Sequence, residues 1–192
     1  MNAILNYLIS SFHLTSDEVS VFLSAFERIV LKKHEVFVQH GEICNKIGLI
    51  ESGLMNCSLL NDGEKAVFEF AYENTFIADY YSFLTKTPSA KEIVCLEDTI
   101  LYVVTRQALE ELSAKFTYIE RISRITNERL FLRMHEKLTS LMLDSASLRY
   151  QKLVAERRDL PQRIPQYLLA SYLNVKPETL SRIRNKIAKG LS

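Results

Sequence analysis

Glu178, Ser181, Arg182 and Asn185 recur three and four residues apart, so a helix through them would carry all four side chains on one side. These side chains suit the edges of base pairs: a guanidinium forks onto guanine O6 and N7, and a carboxylate accepts from cytosine N4. Leu180, Ile183 and Ile187 make the opposite side of the same helix apolar. Bond-making chemistry finds no comparable set. His13, His34, His40 and His135 are scattered without metal-ligand spacing, and Cys44, Cys57 and Cys95 are odd in number with no CxxC. The thiols are expected to be buried and reduced, no nucleophile and base can be paired, and neither a catalytic residue, a metal nor an enzyme is expected.

The elements that must position those four residues lie in RIPQYLLASYLNVKPETLSRIRNKI, from Arg163 to Ile187. Apolar Leu169, Leu173, Val175, Leu180 and Ile183, with small Ala170 where two crossing helices nearly touch, have the spacing of a helix-turn-helix. Asn174 falls at the turn, where a positive φ is needed, and Pro177 falls at the first position of the second helix, where its missing N–H costs nothing. An ordinary amphipathic hairpin shares this pattern, and Lys176 is a poor N-cap.

Charge is segregated. Residues 145–192 hold 10 Lys and Arg against 3 Asp and Glu, while residues 1–144 hold 14 against 20. The net charge of +1 conceals a basic end that would attract a polyanion. Arg163, Lys176, Arg184, Lys186 and Lys189 are the expected phosphate contacts, each equally readable as a solvated charge. No apolar run reaches bilayer length, and MNAILNYLIS lacks a basic start and a cleavage site, so a cytoplasmic protein without membrane contact is expected.

The front of the chain changes period twice. Leu5, Leu8, Ile9 and Phe12 share one helical face; after Thr15-Ser16-Asp17-Glu18, a start signal, Val19, Phe22, Leu23 and Phe26 share another. From Leu31 to about Val104 the segments EVFVQ, KIGLIES, LMNCSLL, KAVFEFAYE and TILYVV read as short strands, with Gly41, Gly53 and Asn61-Asp62-Gly63 as turns. A sandwich or roll is expected. A short helix from Tyr80 to Leu84 and a turn at Pro88 interrupt the strands as a loop over the roll's mouth, where Tyr80, Tyr81 and Phe83 either line a pocket or pack in the core. Leu109, Leu112 and Phe116 then close against the roll, and Leu130 or Phe131, Met134, Leu138 and Leu141 form a stripe spaced by three and four, broadened by Leu132 and Met142. A helix apolar on two sides packs on its own domain and on a second copy, which predicts a homodimer; the competing reading buries it within one chain. Asp144-Ser145 breaks this helix and caps one from Ala146 to Arg157, making Asp144 the expected hinge.

This order of parts resembles the family of the cyclic-AMP receptor protein and the fumarate and nitrate reduction regulator over nearly the whole chain. HGEICNKIGLIESGL, from His40 to Leu54, is similar to its glycine-anchored strand pair, and PETLSRI, from Pro177 to Ile183, to its recognition helix. The resemblance places Glu178 and Arg182 at the base-reading glutamate and second arginine, with Pro177 where some members carry another arginine. The effector loop departs: Ala78-Asp79 stands for the Gly-Glu pair that holds ribose, and Pro88-Ser89-Ala90 holds no phosphate-binding arginine. Lys91 is the nearest cation, and a flexible ammonium is no bidentate fork for a buried anion. Asp79, Tyr80, Tyr81, Ser89 and Lys91 are therefore the expected lining of a pocket for an effector other than cyclic AMP, or for none. An iron-sulfur cluster is not expected, since the N-terminal cysteines of oxygen-sensing members are missing, and no haem ligand stands out. Five residues follow Ile187, so the β-hairpin wing of the family is expected to be absent or truncated.

The expected architecture is α+β: a β-roll of the double-stranded β-helix, cyclic-nucleotide-binding type over 1–115, a dimerisation helix and hinge over 116–144, and a helix-turn-helix over 145–192. Its expected partners are double-stranded DNA, a second copy of the chain and RNA polymerase. Two rivals are a cupin-like small-molecule-binding roll with an accessory helical tail and a module whose hairpin binds protein.

Overall fold

Thr15 and Glu18 set the first boundary. The Thr15 hydroxyl accepts from the Glu18 N–H at 3.2 Å, and the Glu18 carboxylate accepts from the Thr15 N–H at 2.8 Å, a reciprocal cap that starts α2 (Ser16–Ser24) after α1 (Asn2–Phe12). The computed structural model describes residues 2–61 and 64–188. It divides into two compact units, residues 1–65 with 69–128, and residues 66–68 with 129–192.

β1 (Glu27–Leu31), β2 (Val36–Val38), β3 (Lys46–Ser52), β4 (Leu54–Asn61), β5 (Glu64–Tyr72), β6 (Phe76–Ile77), β7 (Lys91–Cys95) and β8 (Thr99–Thr105), all in the first unit except residues 66–68 of β5, form two four-stranded sheets. Their orders are β1-β8-β3-β6 and β2-β7-β4-β5. Strands begin at Glu27 rather than at Leu31, because ERIVL pairs with β8 from Glu27↔Val103 to Leu31↔Thr99. The turn expected at Asn61-Asp62-Gly63 lies partly outside the described residues. Gly48 marks where the sheets approach: an added Cβ would meet Leu101 at 2.8 Å and both Ile77 and Phe37 at 3.2 Å. Gly53, with φ +109°, turns β3 into β4 against the Thr99 backbone, a conformation side chains rarely adopt.

Leu49 and Tyr102 sit on the other side of the first sheet, in a core with Ile4, Leu8, Phe12, Val19 and Phe22. α4 (Arg106–Lys115) and the start of α5 (Tyr118–Leu143) complete it with Leu112, Ile119 and Ile122, and Leu109 and Phe116 pack against it as expected. The Thr105 hydroxyl starts α4 by accepting from the Ala108 N–H. Between β6 and β7 lies α3 (Tyr80–Thr85), the short helix read from the sequence, ended by Lys86 at φ 59°.

The second unit holds the rest of α5, then α6 (Ala146–Glu156), α7 (Leu160–Arg163), α8 (Gln166–Tyr172) and α9 (Pro177–Ala188). The Ser145 hydroxyl accepts from the Leu148 N–H and starts α6 where the sequence placed it. α7 was not foreseen; Pro161 in its first turn was the available signal. Leu153, Leu160, Ile164, Leu168, Leu169, Ala170, Leu173 and Leu180 are buried and make this unit's core. Among the described residues no helix is long and apolar enough to cross a membrane.

Candidate nucleic-acid interface and effector loop

Asn174 makes the turn between α8 and α9. At φ 52° its N–H donates to the Ser171 carbonyl and the next N–H, of Val175, donates to the Ala170 carbonyl, both at 3.0 Å. This is the left-handed cap that ends a helix without glycine, and it supplies the sharp turn the motif requires. Ala170, 1% exposed, leaves room for α9 beside α8. α9 begins at Pro177, and the Lys176 carbonyl accepts from the N–H groups of Thr179 and Leu180. The Gln166 carboxamide braces the junction by donating to the Pro177 carbonyl at 3.2 Å.

α9 buries Leu180 completely and half-buries Ile183 and Ile187. Glu178, Arg182 and Asn185 are exposed and Ser181 is half-buried. The Arg182 guanidinium makes one long approach, 3.5 Å, to the Thr179 hydroxyl. Lys176 and Lys186 are exposed and Arg184 is half-buried; Lys189 lies outside the described residues. Arg163, expected as a phosphate contact or a solvated charge, is half-buried and paired with Asp159. Its Nη1 donates to the Asp159 carboxylate at 2.9 Å, and Arg157 grips the same carboxylate at 2.8 and 2.7 Å, so Arg163 holds the approach to α8 together.

The two arginines hold the Asp159 carboxyl well below the usual carboxylate range, the bond from Arg157 contributing most. Asp144 is lowered too, first by Lys152 and then by Ser140, whose Nζ and Oγ reach its carboxylate at 2.6 and 2.5 Å. A carboxyl depressed in the folded state stabilises the fold above its unfolded pKa, near 3.9, and that contribution is lost as pH falls through the folded value. Thermal melting followed by circular dichroism should therefore weaken below about pH 4. Asp159→Asn should melt lower at neutral pH and lose less on acidification.

The loop around α3, the expected effector loop, is closed upon itself. Asp79 is buried, and its Oδ2 accepts from the Ser89 hydroxyl at 2.7 Å while Lys91 Nζ stands 3.2 Å from Oδ1. The Ser89 hydroxyl also accepts from the Lys91 N–H at 3.1 Å. Ser82 ties α3 down, accepting from the Cys44 N–H at 3.0 Å and donating to the Thr87 carbonyl at 2.5 Å. Of the aromatics, Tyr80 stacks on Phe83 with centroids 6.2 Å apart, and the Arg106 guanidinium lies 4.1 Å from the Phe83 ring centroid. Tyr81, expected in the pocket lining, is 69% exposed and lines no interior. The outward face of a two-turn helix leaves it nothing to pack on. The three cysteines are buried, and burial pushes the Cys44 and Cys95 thiols up. Among the described residues, no group of three His, Cys, Asp or Glu is gathered as a metal site.

Along α5, Phe131, Leu138 and Leu141 are 69%, 60% and 37% exposed and Met134 is half-buried; Leu132 and Met142 are also exposed.

Residues 28–116, a little under half of the chain, match the family described as the cyclic nucleotide-binding domain. No curated protein matches the chain in sequence. Solved structures share the fold well beyond this domain. FixK2 from Bradyrhizobium japonicum is 16% identical, with 86% of this chain and 85% of that one aligned at a TM-score of 0.75. The regulator CLP of Xanthomonas campestris, described as c-di-GMP responsive, is 15% identical over 92% and 94%, with a TM-score of 0.72. A Eubacterium rectale protein assigned to the crp/fnr family of transcriptional regulators is 16% identical over 97% and 89%, with a TM-score of 0.70. The mixed architecture expected from the sequence, a roll followed by C-terminal helices, is therefore the fold of Crp/Fnr regulators. Within the region matched by that family, Asp79 and Lys91 neutralise each other in the loop.

Proposed function

We propose that the chain is a cytoplasmic, non-enzymatic transcription regulator of the Crp/Fnr type. It binds double-stranded DNA as a homodimer, each copy placing α9 in the major groove, and it acts with RNA polymerase. The observation that carries this reading is the division of α9. Leu180 is fully buried beneath it, while Glu178, Arg182 and Asn185 stand exposed on a basic end of the chain. A helix that owes its inner side to packing and spends its outer side on forked and accepting groups suits base edges. The Phe131, Met134, Leu138 and Leu141 stripe is the surface for the second copy, so two recognition helices would read an inverted repeat with half-sites about 10 base pairs apart.

Cyclic AMP is not the effector in this reading. A cyclic phosphate brought to the loop would meet the buried Asp79 carboxylate and a lysine already beside it, with no arginine fork to offset desolvation. A fluorescence-anisotropy titration of the full chain on random duplex DNA tests both parts. Binding should weaken steeply with added salt, as phosphate contacts require, and should be unchanged by cyclic AMP. Salt-independent binding or none removes the DNA reading; tightening by cyclic AMP removes the effector reading alone.

A further inference from the structure

We propose that Arg149 is a positioning residue that sets the spacing between the two recognition helices while touching no DNA, an inference that rests on the dimeric DNA-binding reading above. Arg149 lies in the first turn of α6, its N–H donating to the Ser145 carbonyl at 3.0 Å. Its guanidinium reaches two other helices. Nε and Nη2 donate to the Leu173 carbonyl at 3.1 and 2.8 Å, and Nη1 donates to the Asp144 carbonyl at 2.7 Å. Leu173 is the C-cap of α8, and Asp144 directly follows the last residue of α5. One planar group thus satisfies end carbonyls of two helices, which have no intrahelical donors.

The arrangement depends on the turn described above. In it the N–H groups of Asn174 and Val175 bond the carbonyls of Ser171 and Ala170, and the Leu173 carbonyl takes its donors from Arg149. Lys152 on the same helix binds the Asp144 carboxylate at 2.6 Å, so α6 holds the end of α5 by backbone and side chain alike. The Asp144-Ser145 elbow, expected as a hinge, is braced in this structure. A guanidinium fixes both directions because its donors are rigidly forked; an ammonium supplies one point of charge without the fork. In a dimer joined along α5, the angle at this elbow decides how far apart the two copies of α9 stand, and hence which half-site spacing fits.

The test compares the full chain with Arg149→Gln and Arg149→Lys. Affinities are measured on a single half-site and on duplexes whose half-sites are spaced either side of about 10 base pairs. Backbone amide exchange is followed at residues 144–148 and 173–175. In Arg149→Gln the preference for the best spacing should fall about tenfold, out of the gain that two linked sites provide, while single half-site affinity holds. Arg149→Lys should fall between, and amides at both segments should exchange faster. Unchanged spacing preference with unchanged exchange overturns the proposal, as does a loss of single half-site affinity equal to the loss on the pair. If Arg149→Gln does not fold, Arg149→Lys is judged by the same measures. If the unaltered chain binds no DNA, the functional reading fails, and exchange at the two segments alone decides whether Arg149 braces the elbow.

Discussion

Replacing Phe131 and Leu138 together by glutamine is expected to turn a dimer into a monomer and to weaken binding to a two-half-site duplex by about 10²-fold or more. Both side chains are largely exposed in the single chain, at 69% and 60%, so their loss removes little from its own core. They sit seven residues apart on α5, with Met134 between them and Leu141 beyond, which is the spacing expected of a seam between two helices. Burying a Phe or Leu side chain in such a seam is worth about 1.5–3 kcal/mol, and each substitution acts twice in a symmetric pair. Glutamine keeps helix propensity and adds no charge, so a change in DNA affinity would not be an electrostatic artefact. Sedimentation or light scattering reports the mass and anisotropy reports the affinity. A variant with the same mass and melting temperature as the unaltered chain would show that this stripe does not join two copies.

Arg182→Ala should cost about 1 to 3 kcal/mol on the preferred site and relax selection at one base pair. The structure gives this side chain little else to do: it is exposed on α9, and its nearest partner is a hydroxyl at 3.5 Å. Its removal should therefore leave folding intact, in contrast to Arg163, whose guanidinium is bonded to Asp159 across α7. A selection from randomised duplexes makes the distinction. A lost reading contact flattens one column of the selected sequences, whereas a lost phosphate contact weakens all sequences alike. An unchanged selection pattern would take Arg182 out of the reading role.

Much of this architecture could be read before any coordinates. Helical starts at Ser16 and Ala146 follow from Thr15 and Ser145, because a cap is a local hydrogen bond between residues three apart. Asn174 is legible for a similar reason: only a few residue types tolerate its φ of 52°. The strand boundary at Glu27 was less legible, since ERIVL lacks clean alternation and is a strand only because β8 lies beside it. α7 was also missed, four residues being too few to show a period.

Sequence alone determined which side of α9 faces inward, where the turn before it falls, and that the end carrying it is basic. Those properties depend on residue type and on local spacing, neither of which needs a distant partner. Tertiary structure decided what the charged groups do. Lys91 lies against Asp79, and Arg149 reaches Leu173, 24 residues away. A long flexible side chain takes whichever acceptor folding brings within about 3 Å, and no pattern along the chain encodes that choice.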